Sequence, residues 1–554
     1  MGNKVNKNSF VIQGSILAFA GILVRVIGLI YRVPLNRILG HQGVAYYTTA
    51  YDFYNILILL SSQSMPLAVS KIVSEKLGRG EYKGAHKVFK GALLYGLILG
   101  IALGSLMFFC ADWLATKIYT RPQIALALKV LAPTLTITCV LGVLRGYFQG
   151  MGNMVPTAIS QFFEQIANAI VSVTAACQLG IYGLSLAKMQ NLSEDASEML
   201  KNSWAAAGGT LGTFAGVVVA VLIVAYILFK NYGKIKKNIC ADKAQNVENY
   251  GEIIRLILFV ITPVLISTTI YNISNLLDNP IFLNIMEYLK VSEKVSNELW
   301  GIYSGEYRLL TTMPIAIAAA LSTAMVPSLV RSYAANNNEE VKKKINLAIK
   351  FAMIIAFPCG MGLTVLGGPI NLMLFNDNTD IGGKIMVFSI ITVIAFSLST
   401  ISNAILQGID RLKVPIKNSA ISIVIHLIVL PILLIVFKLN IYAVVIGDFT
   451  FGMTVSIFNA YSIKKYTGYK QEIKNTFIKP LICSVFMGLG AISSYKLLFY
   501  LLPYNTLCTL VGIVVAVAIY GISLIITKTV TEDELYSMPK GTLIVKILKK
   551  LRFM

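Results

Sequence analysis

Charge is what this chain has least of. Asp, Glu, Lys and Arg make up 13% of its 554 residues, where a soluble protein carries about a quarter. Acids are scarcer than bases, 26 against 48. There are three histidines and seven cysteines. The cysteines show no CxxC spacing and most fall inside apolar runs, which excludes a disulfide framework and a thiolate metal site. No G-x-S-x-G, H-E-x-x-H or Walker loop occurs, and no carboxylate pair sits in a soluble segment, so the reading is of a non-enzyme. Without a nucleotide site, any transport draws on an ion gradient or on the substrate itself. No cofactor is expected; sodium or proton coupling is the open question.

What is present is hydrocarbon. Hydrophobic residues make up 56% of the chain and mean hydropathy is +0.71. The apolar residues come in blocks of about twenty, the length that crosses roughly 30 Å of bilayer core. The fold class is therefore an all-α polytopic membrane protein with about fourteen transmembrane helices. A β-barrel would show short alternating segments instead. Lys4 and Lys7 ahead of an apolar run mimic a signal peptide, but the run is long, holds arginines and lacks a small-x-small cleavage site, so it reads as the first span.

The net charge of +22 collects in short loops after the even-numbered spans. Lys83, Lys87 and Lys90 follow the second, Lys234, Lys236 and Lys237 the sixth, and Lys464, Lys465, Lys470 and Lys474 the twelfth. This pattern points to topology and anionic lipid headgroups, not to nucleic acid, and puts both termini in the cytoplasm. The tail 529–554 has aliphatic residues at helical spacing with lysines between them, and is expected to lie on the inner leaflet.

An internal repeat organises the chain. Met65-Pro66-Leu67-Ala68 recurs as Met313-Pro314-Ile315-Ala316, and Gln149-Gly150 as Gln407-Gly408. Both pairs are about six spans apart. The halves then run in the same direction, as two pseudo-symmetric six-helix lobes with a central cavity. The expected division is an N-lobe at 1–230, a cytoplasmic linker at 231–251, a C-lobe at 252–465, an additional helix pair at 466–528, and the tail. Pro66 and Pro314 would interrupt their helices' hydrogen-bond ladders and permit a gating bend.

The ionisable residues inside spans are the informative set, because each costs roughly 2.5–3.5 kcal/mol at a helix centre. Arg25 and Arg32, in GILVRVIGLIYRVPLNRILG, are about two turns apart and leave one side of the first span. Arg308 lies in GEYRLLTTMP of the eighth. Guanidinium binds phosphate bidentately, so these three read as ligands for an anionic headgroup. Asp52, Glu164 and Glu306 are candidate cavity or coupling acids. They are also candidate partners for the arginines, in which case the group serves packing. Arg145 and Glu164 could form a helix–helix pair. Asp278 suits a helix end or an ion. Asp410, in LQGIDRLKVP, suits a turn or an N-cap. His426 suits a satisfied core position.

These residues carry a resemblance. RVIGLIYRVPLNRILG, MPLAVSKIVSEKLGRGEYKGA, LRGYFQGMGNMVPTAISQFFEQI and AILQGIDRLKVP are similar to the SpoVB/YtgP branch of polysaccharide-export flippases. That branch lies in the multidrug/oligosaccharidyl-lipid/polysaccharide (MOP) superfamily and is related to MurJ-type lipid II flippases. The resemblance runs from about residue 8 to 528. It implies alternating access in the bacterial cytoplasmic membrane for a polyprenyl-pyrophosphate-linked saccharide, lipid II or a related cell-wall precursor, by a monomer. Arg25 matches the first cavity arginine of the pattern. Arg32 resembles the second, displaced by one residue, with Val33 where an Asp is usual. Arg308 matches the arginine of the eighth span. The second-span arginine is replaced by the region of Asp52 and Asn55. A sodium site of the MurJ kind would use Asp278 and Asp410, with Leu406 where an asparagine is expected. The rival functions are a cation-coupled multidrug exporter of the same superfamily, which needs an acid-rich cavity, and a non-transporting scaffold for envelope synthesis, which would tolerate loss of the arginines.

Overall fold

In a computed structural model, which describes residues 7–62, 65–242 and 248–529, the chain is helical, with no strand among the described residues. It divides into two compact units, ending and beginning at Gly301 and Ile302. Eleven helices among the described residues are long and apolar enough to cross a membrane. Of the tail expected at 529–554, residues 530–554 lie outside the described residues.

The first unit comprises α1 (Lys7–Ser61), α2 (Met65–Gly78), α3 (Tyr82–Trp113), α4 (Ala125–Gly150), α5 (Val155–Met189), α6 (Glu194–Ala241), α7 (Tyr250–Tyr288) and the start of α8 (Glu293–Ile302). The first element is two helices joined at Gly40, whose φ of 62° is left-handed and open to glycine at no steric cost. The chain reverses there, since Arg32 lies beside Tyr47 and Tyr51.

Helices in hydrocarbon gain little from burying apolar side chains against one another, so small residues decide how closely they pack. Gly208, Gly212 and Gly216 form such a stripe on α6. A Cβ at Gly212 would fall 2.0 Å from Ser172 Oγ, and one at Gly216 2.6 Å from the Glu164 carbonyl oxygen, so α5 and α6 run backbone to backbone. Gly142, Gly146 and Gly150 do the same for α4 against α2, with the Gly146 position 2.9 Å from Pro66 Cα. The expectation began the C-lobe, 252–465, with this helix; α7 instead packs on α1, α2 and α3 within the first unit. The linker expected at 231–251 is shorter, because α6 stays helical to Ala241.

The second unit holds α9 (Arg308–Ala334), α10 (Asn338–Phe375), the short α11 (Asp380–Met386), α12 (Ser389–Gly408), α13 (Lys413–Ile435), α14 (Ile441–Thr467), α15 (Lys479–Leu501) and α16 (Asn505–Ile526). The additional pair, α15 and α16, packs on α10 through Leu366, Met487, Ala491 and Ala516. Asn505 Nδ2 donates to the Pro369 carbonyl at 3.0 Å and Tyr520 Oη to that of Ile354 at 2.6 Å, pinning both ends of α16 to α10.

The two prolines of the repeat differ. Pro66 is the second residue of α2, where its missing N–H costs nothing. The ladder break expected at Pro66 is a start of helix instead. Pro314 lies within α9, near its beginning.

Candidate functional site

Arg32 is the best-defined of the expected arginines. It leaves the first half of α1 in the first unit and is partly buried. Tyr31, Tyr47 and Tyr51 surround it, and Tyr31 is hydrogen-bonded to it. No carboxylate lies within ion-pair distance of it among the described residues. Tyr47, Tyr51 and Tyr54 recur at i, i+4 and i+7 on the second half of α1, hence on one face. Ring centroids of Tyr47 and Tyr51 are 5.1 Å apart and those of Tyr51 and Tyr54 5.7 Å.

Helices α4, α5 and α6 each add a polar atom to this cluster. Tyr51 Oη meets Thr213 Oγ1 of α6 at 2.5 Å. Asn168 Nδ2 of α5 donates to Tyr31 Oη at 3.4 Å, and Ser172 Oγ donates to Asn168 Oδ1 at 2.8 Å. Tyr54 Oη meets Thr138 Oγ1 of α4 at 3.4 Å. A guanidinium only donates, and phenols and the amide NH2 donate readily. Within the cluster only Arg32 is purely a donor; the hydroxyls and Asn168 also accept.

Among the expected acids, Glu164 does not serve the first-span arginines. Its Oε2 accepts from Arg145 at 2.6 Å, and Arg145 also donates to Ser160 Oγ at 2.9 Å. The helix–helix pair is the arrangement found. Asp52 is half-buried on α1, and Arg25 is exposed. Asp278 is buried in α7 beside Asn279, whose Nδ2 donates to Thr49 Oγ1 at 2.6 Å.

In the second unit a π-turn, Tyr303–Tyr307, runs into α9 at Arg308, which is half-buried. Such turns cluster at functional positions. It stacks Tyr303 and Tyr307 at 5.9 Å. Tyr303 Oη donates to Asp448 Oδ2 at 2.5 Å and Tyr307 Oη to Thr392 Oγ1 at 2.7 Å. Glu306 is buried in the same turn. Its Oε2, Asp377 Oδ2 and Asn371 Nδ2 converge on Gly382, where a Cβ would lie 3.0, 2.3 and 3.0 Å from them. Asn371 is 1% exposed, and neither polar atom of its side chain has a hydrogen-bond partner among the described residues. These are hard oxygen and amide groups of the kind that hold sodium or calcium.

Asp410, the other expected sodium ligand, is exposed. It takes a left-handed φ of 60° after α12, with Asp410 N bonded to Gln407 O at 3.1 Å and Arg411 N to Leu406 O at 2.9 Å. This is a Schellman turn closing α12, the turn expected there, and Leu412 flanks the start of α13, so Asp410 is not its N-cap. Asp278 and Asp410 fall in different units. His426 is the satisfied core histidine expected, its Nδ1 2.9 Å from the Gly447 carbonyl.

Several participants escape a reading of charges in spans: the tyrosine face of α1, Asn168, Thr213, Asn371 and Asp377. The tyrosine spacing was a usable signal. The convergence on Gly382 was not, since it depends on how α10 and α11 meet.

The architecture is that of a transporter of the MOP type. An inward-facing multidrug resistance MATE family transporter of that superfamily superposes with a TM-score of 0.65 at 16% identity, over 80% of this chain and 94% of the other. The lipid II flippase MurJ in an inward closed conformation superposes at 0.61 and 16% identity, over 92% and 98%. In sequence, residues 11–193 match the family described as "Polysaccharide biosynthesis protein" and 306–432 match MatE. Two Bacillus subtilis proteins are similar over nearly their whole length. The lipid II flippase MurJ is 23% identical over 94% of this chain and 93% of its own. Stage V sporulation protein B is 24% identical over 98% and 100%. In sequence the chain is similar to these polysaccharide-biosynthesis and MatE proteins, and in fold to solved transporters of the MOP superfamily. It is a multi-pass cell-membrane protein.

Proposed function

We propose that the chain is an alternating-access flippase for a polyprenyl-pyrophosphate-linked saccharide, lipid II or a related cell-wall precursor. The observation that carries the reading is Arg32. It is a cation within a membrane span, surrounded by tyrosines and without a carboxylate partner among the described residues. Pyrophosphate supplies acceptors to Arg32, and guanidinium engages them in pairs. Arg25 and Arg308 are further pyrophosphate ligands in this reading. The polyprenyl tail stays in lipid while the headgroup passes. Loop charge puts both termini in the cytoplasm, so export moves a dianion outward. An inside-negative potential favours that by about 2.3 kcal/mol per charge per 100 mV. The chain acts as a carrier and performs no covalent chemistry.

A second reading, export of a cationic solute coupled to an ion, is favoured by one observation: Glu306, Asp377 and Asp448 are buried acids of the second unit. The two readings separate in proteoliposomes. Arg25→Ala, Arg32→Ala and Arg308→Ala are each assayed for transfer of a labelled lipid-linked saccharide and for uptake of a cationic dye. The flippase reading expects lipid transfer to collapse in Arg32→Ala and dye movement to be absent throughout. Full lipid transfer in all three variants rejects it and leaves a scaffold or a drug exporter.

A further inference from the structure

We propose that the second unit carries a binding site for an anionic phospholipid. A cavity of about 520 Å³ opens among α10, α12, α14 and the turn before α15. Its floor is apolar: Ile349, Leu398, Met453 and Phe477. Its rim carries Lys464 and Lys470. Apolar depth with a cationic mouth is complementary to an acyl chain that ends in a negatively charged headgroup.

Local backbone geometry builds the rim. Lys464 lies in the last turn of α14, and Gly468, at φ 68°, ends the helix and turns the chain. Lys470 then falls at the same end of α14. Tyr469, buried behind it, donates through Oη to Asn346 Oδ1 of α10 at 2.8 Å and fixes the turn. The acid closest in sequence, Glu472, is already committed. It accepts from Asn346 Nδ2 at 2.9 Å and from Asn475 Nδ2. Neither Lys464 nor Lys470 has a carboxylate partner among the described residues. Both ammonium groups stand at the end of a membrane-crossing helix, where headgroups lie, and lysines there attract anionic lipid.

Size selects the occupant. At roughly 30 Å³ per water-sized group, the space takes on the order of seventeen such groups, which is one acyl chain. A long, methyl-branched polyprenyl tail exceeds it. The site rests on the chain crossing a membrane and not on the nature of the transported molecule.

The test uses the purified full chain, with native mass spectrometry and thermal unfolding on titration with phosphatidylglycerol or with phosphatidylcholine of the same acyl chains. Phosphatidylglycerol is expected to be retained and to raise the unfolding temperature more than phosphatidylcholine. Lys464→Gln and Lys470→Gln should each weaken phosphatidylglycerol about fivefold, the effect of one surface lysine, and leave phosphatidylcholine unchanged. Ala460→Trp, which fills the cavity, should abolish the preference while Arg32→Ala keeps it. Equal retention of the two lipids, an unchanged preference in the double lysine variant, or displacement of phosphatidylglycerol by polyprenyl phosphate would each overturn the proposal. The lysine variants' unfolding temperature in phosphatidylcholine alone reports their folding.

Discussion

In the first unit Arg32 stands among the hydroxyls of Tyr31, Tyr47 and Tyr51; in the second unit Tyr303 donates to Asp448, and Asn459 donates to Ser402 and Asn403 while accepting from Asn418. One interior sets hydroxyls around a cation, and the other carries the paired networks of Asp448 and Asn459 beside the unpartnered amide of Asn371. A guanidinium without a carboxylate partner among the described residues is what a phosphate-bearing ligand completes in the proposed function. A closed network of donors and acceptors holds helices in register. The difference assigns ligand affinity chiefly to the first unit and rigidity chiefly to the second. That division can be broken by substitution.

The largest effect is expected from the glycine stripe that shapes the first unit's interior. Gly212→Leu places carbon inside Ser172 and should prevent accumulation of monodisperse protein in detergent, read by size-exclusion chromatography. Next comes Arg32→Ala. Transport of a lipid-linked saccharide should fall about a hundredfold or more, in line with roughly 3 kcal/mol for a charge-assisted contact, while the unfolding temperature stays near that of the parent. Arg32→Lys should recover only part of it, because an ammonium lacks the planar fork.

In the second unit the expectation inverts. Asp448→Asn and Asn459→Ala should each cost about 1–3 kcal/mol of stability, by removing a partner and stranding a buried polar group. Transport per folded molecule should change less than it does in Arg32→Ala. A transport loss in Asp448→Asn as deep as that in Arg32→Ala would erase the distinction between the units.

The smallest effect is at the Glu472 turn. Burial works to raise its carboxyl, but hydrogen bonds from Asn346 and Asn475 and the charges of Lys350 and Lys479 hold it below its ordinary value. A depressed carboxylate stabilises the fold at neutral pH, and that contribution disappears as pH falls through the folded value, below the usual carboxylate range near 4. Glu472→Gln should therefore lower the unfolding temperature slightly at pH 7 and flatten its decline at acidic pH.

The sequence made the membrane class legible because hydrocarbon thickness writes itself into run length. It made Arg32 legible because a guanidinium in an apolar run has so few explanations. The two lobes were visible in the Met-Pro and Gln-Gly repeats. Their boundary was not, since the side α7 joins depends on contacts with α1, α2 and α3 that no periodicity records. The tyrosines at 47, 51 and 54 had helical spacing in plain view, but aromatic residues in a span read first as packing. The small-xxx-small stripe at 208, 212 and 216 was equally readable. Arg145 and Glu164 were correctly weighed as partners. Pro66 was misjudged because a proline at the start of a helix and one in its middle look alike in a string of letters. For Asp410 the turn among the expected roles is what forms, in the left-handed position of a Schellman motif, while the N-cap is not.

The central claim is that Arg32 holds a pyrophosphate, and one measurement bears on it most directly. Proteoliposomes bearing the parent or Arg32→Ala are given the same lipid-linked saccharide with either a pyrophosphate or a monophosphate bridge, and transfer rates are compared. The account predicts that the parent prefers the pyrophosphate substrate at least tenfold and that Arg32→Ala loses most of the preference. An undiminished preference in Arg32→Ala would contradict it.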